Sequence, residues 1–69
     1  MRVYKVTGMT GDECERRIAR AIMDQLGEDT VVRADSRTGE VRVDASADPQ
    51  IVVFAIDGAG YSVDAVGED

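Results

Sequence analysis

Along this 69-residue chain the spacing of apolar side chains switches between two and three-to-four, and that switching leaves very few folds open. Val3-Tyr4-Lys5-Val6 alternates, is β-branched and aromatic, and is broken by Gly8, which predicts a first strand. Ile18, Ala21, Ile22 and Leu26 then recur at helical spacing, with Glu15, Arg16, Arg17 and Arg20 pointing elsewhere, so an amphipathic helix is expected to stop near Gly27. Thr10 and Asp12 are both placed to cap it, since Thr10 with Glu13 and Asp12 with Glu15 fit a capping box. Residues 30–35 and 40–44 alternate around Ser36-Arg37-Thr38-Gly39, which predicts a hairpin with Gly39 in a positive-φ position. Asp48-Pro49 opens a second helix, because Asp caps free N–H groups and Pro at the first helical position lacks only a donor that would go unused. Val52, Ala55, Ile56 and Ala59 continue it, and residues 61–66 alternate as a last strand.

The order β-α-β-β-α-β in so short a chain predicts an α+β, ferredoxin-like sandwich: one antiparallel sheet with two helices on a single face. Residues 1–66 are expected to form one domain, followed by a mobile acidic tail, 67–69. The expected core is Tyr4, Val6, Ile18, Ile22, Val32, Val41, Val43, Val52, Ile56 and Val63, with Met9 tucked beneath the first loop. A chain of this size buries only about 60% of its unfolded surface, so a large internal ligand cavity is not expected.

Charge narrows the partners. Fourteen Asp and Glu against eight Lys and Arg give a net charge of −6, the wrong sign for nucleic acid or an anionic membrane. A solvated acidic surface accounts for this, as does adaptation to a salt-rich or strongly acidic proteome. Arg2 to Thr10 contain no apolar run resembling a signal peptide or membrane span, so a soluble cytoplasmic protein is expected. The chain has no His and one Cys, which excludes a Cys-His or Ser-His nucleophile pair and a dithiol redox cycle within the monomer. Gly8-Met9-Thr10-Gly11 lacks the spacing and the Lys of a phosphate loop. An enzyme is not expected.

Three separated motifs resemble the heavy-metal-associated (HMA) domain of copper chaperones, mercury-binding proteins and the termini of P-type metal ATPases. Gly8-Met9-Thr10 and the run from Cys14 through Ile22 (CERRIARAI) resemble that family's Gly-Met-Thr-Cys-x-x-Cys loop and the helix after it. The stretch from Val32 to Val43 resembles its hairpin, and residues 55–61 (AIDGAGY) resemble its Ala-Ile-x-x-Ala-Gly-Tyr signature. Gly11 stands where the family has its first ligand cysteine, so Cys14 corresponds to the second alone. The resemblance implies a small metal-binding protein that passes a soft or borderline ion to a partner, such as a metal-transporting ATPase, by ligand exchange. Cys14 is the metal candidate on the loop frame Gly8, Met9, Thr10 and Gly11, with Asp12, Glu13 and Tyr61 as secondary loop residues.

One thiolate cannot form within a monomer the two-thiolate pair that suits Cu(I). Asp12 or Glu13 can supply oxygen to a mixed shell that prefers Zn(II). A second molecule can give its own Cys14 in a metal-bridged homodimer, or a partner with an intact Cys pair can supply the missing sulfur. The helix N-terminus lowers a thiol pKa whereas Asp12, Glu13 and Glu15 raise it, so an ordinary thiol is expected until a cation arrives. Against all of these stands a bare structural role: free Cys is usually a small semi-buried side chain. That alternative is a degenerate HMA domain that binds no metal and acts as a protein-interaction module. Tyr61 is expected to pack in the core, with a hydroxyl able to reach a thiolate. Phe54 is expected at an outward helix position, and the acidic surface is expected to steer the protein toward a basic docking face.

Overall fold

A computed structural model describes residues 1–68. Its elements are β1 (Arg2–Thr7), α1 (Asp12–Leu26), β2 (Val32–Asp35), β3 (Glu40–Val43), α2 (Pro49–Gly58) and β4 (Ser62–Glu68). The four strands form one antiparallel sheet in the order β2-β3-β1-β4. With the two helices packed against it, this is the ferredoxin-like βαββαβ fold expected from the pattern.

Tyr4, Ile18, Ile22, Val41, Val43, Val52 and Ile56 are fully buried between sheet and helices. Side chains of this size contribute about 1.5–3 kcal/mol each on leaving water, and they form the greater part of the core. Val32 and Val63 are only partly buried, because β2 and β4 are the sheet edges; Ala47, Ala55 and Tyr61 complete the buried set instead. Met9 packs against this core from the first loop.

Two boundaries differ from the sequence pattern. Neither Thr10 nor Asp12 caps α1: Gly11 is the N-cap, with no side-chain cap, and its carbonyl accepts from Cys14 N and Glu15 N. The Thr10 hydroxyl is engaged with the Cys14 sulfur, which removes it from capping. At the other end of the chain, β4 runs past Val66, and Gly67 and Glu68 pair with Val3 and Arg2. These two residues of the expected tail are therefore strand, and Asp69 lies outside the described residues. The second helix begins as its sequence dictates, with Asp48 Oδ1 accepting from Gln50 N at 2.9 Å ahead of Pro49.

The hairpin turn is fixed by Gly39. Its φ is +72°, its carbonyl accepts from Val6 N at 2.7 Å, and a Cβ there would lie 3.1 Å from the Val6 carbonyl oxygen. Only glycine fits both demands without strain.

Candidate functional site

Strand register brings Cys14 and Tyr61 together. Thr7, the last residue of β1, pairs with Ser62, the first of β4, so the loop leaving β1 and the turn entering β4 sit side by side. Cys14 lies in the first turn of α1 above the first, and Tyr61 immediately precedes the second. The Tyr61 ring is buried while its hydroxyl reaches the Cys14 thiol, so packing and polar contact fall to the same side chain. Gly8, at φ +104°, lies under that ring: a Cβ there would touch Tyr61 Cδ1 at 3.4 Å.

Cys14 is half-buried, packed against the edge of the core. Its pKa is lowered to about 7, chiefly by the Tyr61 hydroxyl and then by the Thr10 hydroxyl, whose oxygen is 3.5 Å from Sγ. The expectation of an ordinary thiol is thus corrected. The balance of helix end against carboxylates left out two hydroxyl donors that stabilise the thiolate directly. The Tyr61 pKa moves up in response, first through that same contact with Cys14 and then through burial, while Arg17 beside the hydroxyl opposes the rise.

The acidic neighbours do not close around the sulfur. Asp12 and Glu13 are exposed, and Glu15 is turned to the hairpin, where Oε2 accepts from Ser36 N at 2.6 Å. Among the described residues no three His, Cys, Asp or Glu side chains converge as a metal-ligating group. Gly11 has extended backbone at φ 176°, and nothing lies within 4 Å of a Cβ built there. The loop frame has room for a side chain at that point. The contribution that the residues alone did not reveal is Arg17, whose contact with Tyr61 depends on the register between elements far apart in sequence.

No helix among the described residues is long and apolar enough to cross a membrane. No protein-family model matches the chain, and no curated protein matches it. Solved structures do. A heavy metal binding protein, TM0320 from Thermotoga maritima, superposes with a TM-score of 0.83 at 20% identity over 100% of both chains. A point variant of the copper chaperone Atx1 from Synechocystis PCC6803, in its Cu1, trimeric form, gives 0.81 at 19% identity over 90% of this chain and 97% of its own. A gold binding protein gives 0.80 at 24% identity over 91% and 95%. At these identities the likeness is one of architecture: the chain has the fold of the HMA-domain metallochaperones.

Proposed function

We propose that this domain carries a soft or borderline metal ion, Cu(I) or Zn(II), on Cys14 and passes it on by ligand exchange. The observation that carries the reading is a thiol held close to ionisation at neutral pH by Tyr61 and Thr10, in the first turn of α1. Thiolate is the form that binds metal, and an ordinary thiol is mostly protonated at that pH. The metal is cargo, and one sulfur is an incomplete shell for it. The second ligand then comes from another molecule: a second Cys14 in a metal-bridged dimer, or a cysteine of the exchange partner. A copper chaperone and a gold binding protein are among the structurally similar proteins, which supports a soft ion. Two sulfurs in line are the arrangement that Cu(I) favours.

The test is an anaerobic Cu(I) titration of reduced protein against a chromophoric chelator, with mass followed by light scattering. Saturation at one Cu(I) per two chains, with a doubled mass that Cys14→Ser abolishes, is the expected result. Gly11→Cys should bind Cu(I) as a monomer and at least about tenfold more tightly, since a Cβ at that position meets no obstruction and the added sulfur completes a two-thiolate pair. Absence of competition in the wild type rejects Cu(I) as cargo.

A second reading has its own observation. With a single Cys and no His in the chain and Phe54 exposed on α2, the domain can serve as an interaction module without metal. Wild type and Cys14→Ser then behave alike in every metal titration.

A further inference from the structure

The two edges of the sheet are not alike. On β4 the irregularity against β1 leaves Asp64 unpaired, and the strand carries Asp64 and Glu68 with no Lys or Arg. A bulge and charges of one sign blunt an edge against a second strand. The pairing of β2 with β3 is regular. Val32 and Ala34 pack toward the core, so Arg33 and Asp35, opposite in sign, project from the other face of the sheet. The hydrogen bonds show which backbone groups β2 leaves over. The Val31 carbonyl accepts from Asp44 N at 3.1 Å and the Asp35 carbonyl from Gly39 N at 3.0 Å, so odd-numbered residues bond inward to β3 and its turn. By the alternation of an antiparallel ladder, the N–H and C=O groups of Val32 and Ala34 face outward. Ser36 N continues that outward series, and Glu15 Oε2 accepts from it at 2.6 Å, which closes one end of the edge. An open groove of about 900 Å³ follows the edge, lined by every residue of β2 and, across from it, by Arg16 and Ala19 of α1. Only a groove that runs along the strand edge meets side chains from both faces of β2.

Arg33 lies directly opposite Arg42 in the β2–β3 register, like charges on one rung, and among the described residues it has no carboxylate partner. Asp35 accepts from Arg37 N at 2.9 Å through Oδ1, which leaves Oδ2 for another donor. We propose that the β2 edge pairs with the β2 edge of a second copy of this chain, antiparallel about a two-fold axis at Ala34, joining two sheets into one. In that register each Ala34 exchanges N–H···O=C bonds with the other, and each Arg33 stands opposite the second copy's Asp35. Slipping the strands until Val32 meets the second copy's Ala34 uses the same outward backbone groups but sets Arg33 against Arg33, so charge selects between the registers. A two-fold contact closes on itself and stops at a dimer. At about 0.15 M salt the Debye length is about 8 Å, which screens the repulsion between two molecules of charge −6 and spares ion pairs in direct contact. The contact needs no metal, and it stands or falls apart from the Cys14 reading.

The experiment is sedimentation equilibrium of the full chain, reduced and with chelator, from micromolar to millimolar concentration at about 0.15 M salt. Amide hydrogen exchange is read by ¹⁵N–¹H NMR at both ends of that range. The mass is expected to rise to twice that of the chain and stop there, while the Val32 and Ala34 amides gain protection and the Arg33 amide, already bonded inward, does not. Arg33→Asp and Asp35→Arg should each weaken self-association at least about tenfold, because each sets like charges opposite one another. An equimolar mixture of the two variants restores opposite charges on both rungs and should pair about as tightly as the wild type, a recovery that misfolded variants cannot produce. A chain that stays monomeric, a mass that grows past the dimer, protection gained elsewhere, or a mixture that does not recover overturns the proposal. Cys14→Ser should dimerise as the wild type does under these conditions. A doubled mass seen only when Cu(I) is added, and lost in that variant, overturns the edge contact and leaves the Cys14 reading standing.

Discussion

Cys14 and Tyr61 act as one unit, and the unit is testable through its acidity. The Tyr61 hydroxyl is the largest influence holding the thiol pKa at about 7, against 9.0 for an unperturbed group. The rate of iodoacetamide alkylation should therefore be half-maximal near pH 7 in the wild type. In Tyr61→Phe the ring still fills its place, and the midpoint should move up toward the ordinary thiol value; an unmoved midpoint would show that Thr10 and the helix end suffice. Tyr4 presents the opposite case. Its hydroxyl is fully buried and makes no hydrogen bond of good geometry among the described residues; burial pushes its pKa up, while the neighbouring Arg2 guanidinium opposes the rise. Tyr4→Phe removes a desolvated polar atom and keeps the ring, so chemical denaturation should find the variant equal to the wild type or more stable by about 1 kcal/mol.

At the scale of elements, what the sequence made legible depended on how local the determining contact was. Asp48-Pro49 announced α2 because cap and first turn are sequence neighbours, and the structure has that cap. The start of α1 was misread because Thr10 and Asp12 both fit a capping pattern, while the real competitor for the Thr10 hydroxyl was the Cys14 sulfur. The end of β4 was missed because Gly67 is a poor strand residue; pairing with Val3, across almost the whole chain, overrides that preference. Gly39 was legible as a turn glycine, though its close approach to Val6 was not. Gly39→Ala must hold a Cβ at positive φ and against the Val6 carbonyl oxygen, so thermal or urea unfolding should show a loss of about 1–3 kcal/mol. A loss of only a few tenths would mean that the turn relaxes.

Over the whole molecule the fold was readable and the site only half so. Alternation and helical spacing encode which face is buried, and burial fixes the sandwich. The meeting of Cys14 with Tyr61 depends instead on the pairing of Thr7 with Ser62, which spacing alone does not state. The resemblance to HMA domains supplied the loop position of Tyr61, and the structure placed its hydroxyl on the side of Cys14, where it lowers the thiol pKa. The same groups shape stability against pH. Glu40, held by Lys5, and Asp44, held by the Ser46 N–H, have pKa values below their ordinary 4.5 and 3.8, so their contribution is present above that range and lost as pH falls through the lowered values. Cys14 has a lowered folded pKa too, so between about 7 and 9.0 the unfolded chain binds more protons and stability should rise with pH. Buried Tyr4 reverses the trend above 10.0, where the unfolded phenol ionises first. Urea midpoints across this range should show the rise between 7 and 9 in the wild type and not in Cys14→Ser.

The pairing of Arg2 with Glu68 has a mechanical meaning. These residues close one end of the antiparallel β1–β4 ladder, opposite the end where Thr7 meets Ser62. A pull applied through the two ends of the described chain therefore loads the rungs of that ladder one after another, as a zipper is opened, and never in parallel. The domain should yield at low force, and the last rungs to part are those beside Cys14 and Tyr61. Under tension the thiol pocket outlasts the edge that holds the two ends together.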